Sequence, residues 1–171
     1  MPTVDIITLA LISLHKDVKD YLEDNGWNRK ISVYLSGDPI LRSKKVVTEV
    51  NDTRNEIGLP IVVIDTTMVR SELEELGAAA GRDYVTLSIV VVALDDMQLR
   101  SLANMLRRRL DNYAFTIYDY SGVNTTSTVL STASIEDVVL TDISDWNSPD
   151  IVEHYSNVLN ATMELSSSSF I

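Results

Sequence analysis

The chain has 171 residues and a mass of 19.0 kDa, room for one domain with a real hydrophobic core, and its 45% apolar and 23% charged residues are ordinary globular usage. A formal net charge of −11 argues against a protein that grips nucleic acid or anionic lipid through a broad basic footprint. Without cysteine there is no disulfide scaffold, thiol nucleophile, iron–sulfur cluster or zinc–thiolate site, and His15 and His154 alone cannot build a histidine-rich metal centre.

The predicted elements begin with a helix, in which Ile7, Leu11, Leu14, Val18 and Tyr21 recur at three- and four-residue spacing. Asn25-Gly26 stops it. Ile31–Leu35 reads as a short strand, closed by the turn signal Ser36-Gly37-Asp38-Pro39, and residues 40–58 show no clear period. After Leu59-Pro60 the β-branched run Ile61–Asp65 predicts a strand. Residues 70–83, with three acids near the middle and two glycines, read as a long connector, either a simple long hairpin loop or a loop mobile in the free subunit and ordered against a neighbour.

Tyr84–Leu94 is the strongest strand signal. Val85, Leu87, Ile89, Val91 and Ala93 share one face, and the apolar second half predicts a central strand covered on both sides at that end. A second helix follows, with Asp95 or Asp96 as N-cap and Leu99, Leu102, Ala103, Leu106 and Leu110 as its buried stripe. Arg107, Arg108 and Arg109 occupy its last turn, where cations complement the helix dipole. Ala114–Tyr118 predicts a strand, Ser121–Ser134 a Ser/Thr-rich loop or edge, and Ile135–Ile143 and Asn157–Leu165 two more strands around Ser144–Pro149. The order α-β-β-β-α-β-β-β implies one α+β domain over residues 1–165, a mixed, mainly antiparallel sheet with two principal helices packed on it, and a frayed tail at 166–171.

Charge is polarised along the chain. Residues 111–171 contain nine acids and no lysine or arginine, so −9 of the −11 lies there and −2 remains for residues 1–110. This keeps a β-rich half solvated, or builds a surface that repels polyanions or meets a basic partner.

No template for catalysis is met. There is no G-x-G-x-x-G, P-loop, G-x-S-x-G or H-E-x-x-H, so no enzyme and no cofactor is expected. His154 stands beside Glu153 but adjacent strand residues point to opposite faces, which leaves it a surface histidine. His15 reads as a half-buried or exposed structural residue. Among the carboxylate pairs, Asp95-Asp96 is explained by helix capping, and Glu74-Glu75 and Glu136-Asp137 by solvated positions. The triplet Arg107–Arg109 cannot form one flat patch, because successive helical residues diverge by about 100°. It reads as a solvated helix end, or as a source of salt bridges to an acidic surface on another subunit.

No secretory signal is visible, and the longest apolar run, Ile89–Leu94, is far short of the roughly 20 residues of a membrane helix. The sequons at Asn51, Asn124 and Asn160 read as chance matches, and the protein is expected in the cytosol when made, with no membrane partner.

The succession of an N-terminal helix, Leu59-Pro60 leading into Ile61–Ile64, a Glu- and Gly-bearing connector with Leu76-Gly77, the long Tyr84–Leu94 strand and an Asp-capped helix Asp96–Leu110 resembles the tail terminator (tail completion) proteins of long-tailed bacteriophages. The resemblance covers residues 55–118 and, more loosely, the C-terminal strands; extra length lies at 28–58 and 119–150. It implies a structural virion protein at the tail–head junction, assembled in the host cytoplasm into a homo-oligomeric ring, commonly a hexamer. Such a ring caps the tail tube protein, ends its polymerisation and offers a surface to the head connector, while DNA passes through without specific binding. On this resemblance Glu72, Glu74, Glu75, Gly77, Gly81, Arg107, Arg108 and Arg109 are candidates for subunit or tube contact. Glu136, Asp137, Asp142 and Asp145 are candidates for an acidic lumen that repels phosphate. The residues leave open another neck component, a non-phage adaptor module, or a small enzyme with an acidic pocket.

Overall fold

The first helix determines how the sheet is closed. In the computed structural model, which describes residues 5–27, 31–73, 81–119, 128–142 and 155–166, α1 runs Ile6–Leu22. Leu9, Ala10, Leu14, Val18 and Leu22 are buried, while Ile7, Leu11 and Tyr21 are only half-buried, so the inward face is rotated slightly from the predicted stripe. A wide turn at Glu23–Trp27 ends the helix, with Gly26 at φ +92°, a backbone region that favours glycine.

The remaining elements are β1 (Ser32–Leu35), α2 (Pro39–Ser43), β2 (Lys45–Val47), β3 (Glu56–Gly58), β4 (Ile61–Leu73), β5 (Gly81–Ala93), α3 (Asp96–Leu110), β6 (Tyr113–Asp119), β7 (Thr128–Asp142) and β8 (Tyr155–Ser166). Six strands form one sheet in the order β1-β4-β5-β8-β7-β6, parallel only between β1 and β4, and β2 pairs with β3 separately. The domain is thus α+β with a mainly antiparallel sheet. Its major elements follow the predicted order, and residues 40–58 contribute the small additions α2, β2 and β3.

Two expectations change. The two ends of the connector at 70–83 are strand, since β4 continues to Leu73 and β5 starts at Gly81, with Glu72 opposite Arg82 and Leu73 opposite Gly81, and 74–80 lie outside the described residues. Of the Ser/Thr-rich stretch Ser121–Ser134, Thr128–Ser134 is strand paired with β6 rather than loop, and 121–127 lie outside the described residues. In both places pairing with a neighbouring strand overrides weak local preference.

Both long helices lie on the same face of the sheet. α3 packs on β5, β7 and β8, and its buried residues are the predicted stripe. The predicted inward face of β5 is fully buried beneath it. Burying each large aliphatic side chain there stabilises the fold by about 1.5–3 kcal/mol. Asp95 is the N-cap of α3 and accepts from the Gln98 N–H at 2.7 Å.

α1 bridges the two edge strands, β1 and β6. His15 Nε2–H donates to the Val33 carbonyl of β1 at 2.8 Å, and Ser13 Oγ accepts from the Tyr118 N–H of β6 at 3.1 Å. A carbonyl only accepts, which assigns the His15 proton to Nε2. The helix therefore satisfies a main-chain group on each otherwise open edge and holds the sheet curled around the core.

On the opposite face, Ile57, Leu59 and Ile61 form a second cluster with Tyr34, Leu41, Val46, Val63 and Val92. This small cap covers the end of β5 that the sequence marks as apolar on both sides. Carboxylates order its turn: Glu56 Oε2 accepts from the Asn51 and Asp52 N–H groups at 2.7 and 2.9 Å, and Asp52 from the Arg54 N–H and Asn55 Nδ2. The main-chain bonds from Arg54 to Asp52, and from Asp52 and Asn51 to Glu56, hold both carboxyls below their ordinary pKa. A lowered folded pKa gives stability that is complete above the unfolded value and lost as pH falls through the folded one. Protection of the Asn51, Asp52 and Arg54 amides, relative to their intrinsic exchange rates, should therefore be high at neutral pH and fall, ahead of global unfolding, below the ordinary carboxylate range. Exchange that ignores these two titrations would contradict this account of the turn.

Candidate functional site

A connected polar cluster lies where α1, α3 and β6 meet. Arg109, in the last turn of α3, reaches Asp17 Oδ1 of α1 at 3.2 Å and donates to the Tyr113 hydroxyl of β6. That hydroxyl donates in turn to Asp17 Oδ1 at 2.8 Å. The guanidinium carbon stands 3.9 Å from the Tyr113 ring centroid and 5.0 Å from that of Tyr21, within cation–π range. Burial, reinforced by the Asp17 carboxylate, raises the Tyr113 pKa above the usual tyrosine value.

Beside this cluster is a cleft of about 540 Å³ between α1 and the outer edge of β6, lined by Ser13, Lys16, Asp17 and Asp20 and by Ala114 and Thr116. The Ser13–Tyr118 bond brackets one end and the Asp17–Tyr113 bond the other. Asp17 and Tyr113 are thus committed to each other and to Arg109, which makes this a polar bolt between elements. No group of three or more His, Asp or Glu among the described residues is gathered closely enough to hold a metal ion.

The structure scatters the residues singled out from sequence. Arg109 is not a solvated helix end; it is half-buried and paired within its own domain, whereas Arg107 and Arg108 are exposed. Glu136 and Asp137 are exposed at a bulge of β7, with Asp137 at φ +55°, and Asp142 ends that strand opposite Asn157. Glu72 and Gly81 lie in paired strands, and Glu74, Glu75, Gly77, Asp145 and His154 fall outside the described residues. His15 is the expected half-buried structural histidine. Asp95 caps α3, and Asp96 pairs with Arg100 at 2.7 Å.

The cluster formed by Asp17, Tyr21, Arg109 and Tyr113 was not identified from sequence. Its only local signals are the i, i+4 spacings of Asp17 with Tyr21 and of Arg109 with Tyr113. No helix among the described residues is long and apolar enough to cross a membrane. Compared with known proteins, the chain matches no protein-family model and no curated protein sequence.

Proposed function

We infer that the protein is a structural ring component acting as a phage tail terminator, assembling at the head-proximal end of the tail tube. The observation that carries this reading is spatial. The described strands of the lysine- and arginine-free segment, β6, β7 and β8, are adjacent and carry Asp119, Glu136, Asp137, Asp142 and Glu164, so the charge polarity of the chain becomes an acidic half of one sheet. Repeated around a ring, such a half gives a channel wall that repels the DNA backbone and lets it slide. The order of elements, which resembles the tail terminators, supports the same reading.

The test is the native mass of the purified chain over a range of concentration, alone and with isolated tail tubes, together with negative-stain images. Closed rings of about six subunits, free or on tube ends, are the expected result. Binding to connector or portal complexes but not to tubes would reassign the protein to another neck position. A strict monomer that binds neither would overturn the proposal.

A further inference from the structure

Two surfaces on opposite sides of the domain match each other. The first is the outer side of α3, which faces away from the sheet. It carries Met97, 83% exposed, and, one to three turns on, the exposed Arg100, Arg107 and Arg108. Arg100 is paired with Asp96 on the same helix, whereas Arg107 and Arg108 make no ion pair among the described residues.

The second surface is the sheet face that neither long helix covers. Beyond the small cap, register aligns Met68, Thr86, Thr162 and Glu136 in a row across β4, β5, β8 and β7. Met68 is 62% exposed at one end of the row. At the other end stand exposed Glu136 and Asp137, with Val139, 58% exposed, opposite Asn160 in the next row.

The dimensions agree. Met97 and Arg107 are ten residues apart, about 15 Å along a helix. Met68 and Glu136 are three strand spacings apart, about 14 Å across the sheet. An α3 laid across these strands would set methionine against methionine at one end and two arginines against two acids at the other.

We propose that the uncovered sheet face of one copy receives the outer side of α3 from a second copy. The two patches are different and lie on opposite layers, so the contact is head-to-tail, the kind that closes a ring when the rotation per subunit allows. The occupant is a second copy because the sheet face is acidic at the end where α3 is basic, and because both surfaces expose a large apolar side chain where the other does. This inference rests on the ring reading above and specifies its interface.

The experiment is sedimentation velocity on the full chain at low and high salt. Arg107→Glu/Arg108→Glu and, separately, Glu136→Lys/Asp137→Asn should each raise the concentration needed for assembly at least tenfold. Asparagine is chosen at 137 because it tolerates positive φ. Mixing the two variants in equal amounts should restore assembly, since alternating copies make every second contact native and the others a charge-reversed pair, Glu136→Lys against Arg107→Glu/Arg108→Glu. Met97→Glu, at a side chain too exposed to affect folding, should weaken assembly in the same way, and circular dichroism checks that each variant is folded. Should the native chain form rings while these variants assemble as it does, this interface is wrong and the ring reading stands. Isologous dimers, or a native chain that remains monomeric with and without tubes, would overturn the interface, the monomer overturning the ring as well.

Discussion

Leu14→Ala is expected to lower the unfolding free energy by about 2–5 kcal/mol, the range for emptying a well-packed core position. Leu14 is fully buried on α1, directly between Ser13 and His15, the two residues that bond to the edge strands. The cavity would therefore open where the helix holds both ends of the sheet, and neighbouring strands cannot collapse into it without breaking those bonds. Small domains are stable by only about 5–15 kcal/mol, so the loss is a large fraction of the total. Urea unfolding should show a lower midpoint with an unchanged slope. Met97→Ala, at an exposed position, should shift stability by no more than about 0.5 kcal/mol. A Leu14→Ala variant as stable as the native chain would mean that α1 is not part of the cooperative core.

The second large effect is expected at Arg109. Arg109→Lys keeps the charge but loses the planar group that lies over two tyrosine rings while bonding Asp17 and Tyr113. Its expected cost is about 1–3 kcal/mol, the scale of one hydrogen bond to a charged group plus partly shielded cation–π contact. The side chains of Arg109 and Asp17 remain 30% and 24% exposed, which keeps the figure below that of a sealed ion pair. Combining Arg109→Met with Asp17→Asn in a double-mutant cycle should return a coupling of about 0.5–3 kcal/mol. Tyr113 supplies a separate readout: Arg109 opposes the rise in its pKa, so Arg109→Met should move its ultraviolet titration higher still, and Asp17→Asn lower. Because the folded pKa is raised, the associated stability is present below the ordinary tyrosine value and lost as pH climbs through the folded one. Additive single effects together with an unmoved tyrosine titration would contradict the cluster.

Where hydrophobic period decides structure, the sequence is readable. The stripe Leu99, Leu102, Ala103, Leu106 and Leu110 and the alternation Val85 to Ala93 are the buried sets of α3 and β5, because burial acts on every third-to-fourth or every second side chain. Residues 40–58 resisted because their elements are three to five residues long and are held by Asp38, Asp52 and Glu56 bonding to nearby amides. The ends of β4 and β5 owe their extension to pairing with each other, and Thr128–Ser134 to pairing with β6, contacts that no hydrophobic period announces. Strand order and the parallel β1–β4 pair have no local signature. The same holds for Arg109, whose partner Asp17 lies 92 residues away; read alone, it is the third arginine of a helix end.

The bridging position of α1 also has a consequence for synthesis. Its contact to β1 spans 18 residues and its contact to β6 spans 105. At about 5–20 residues per second, the helix waits roughly 5–20 s between meeting the two. Throughout that interval Leu9, Leu14, Val18 and Leu22 face a core that does not yet exist, on a nascent chain crowded by its neighbours on the same message. Folding of the first element thus waits on emergence of β6, which makes α1 a natural early client for chaperones.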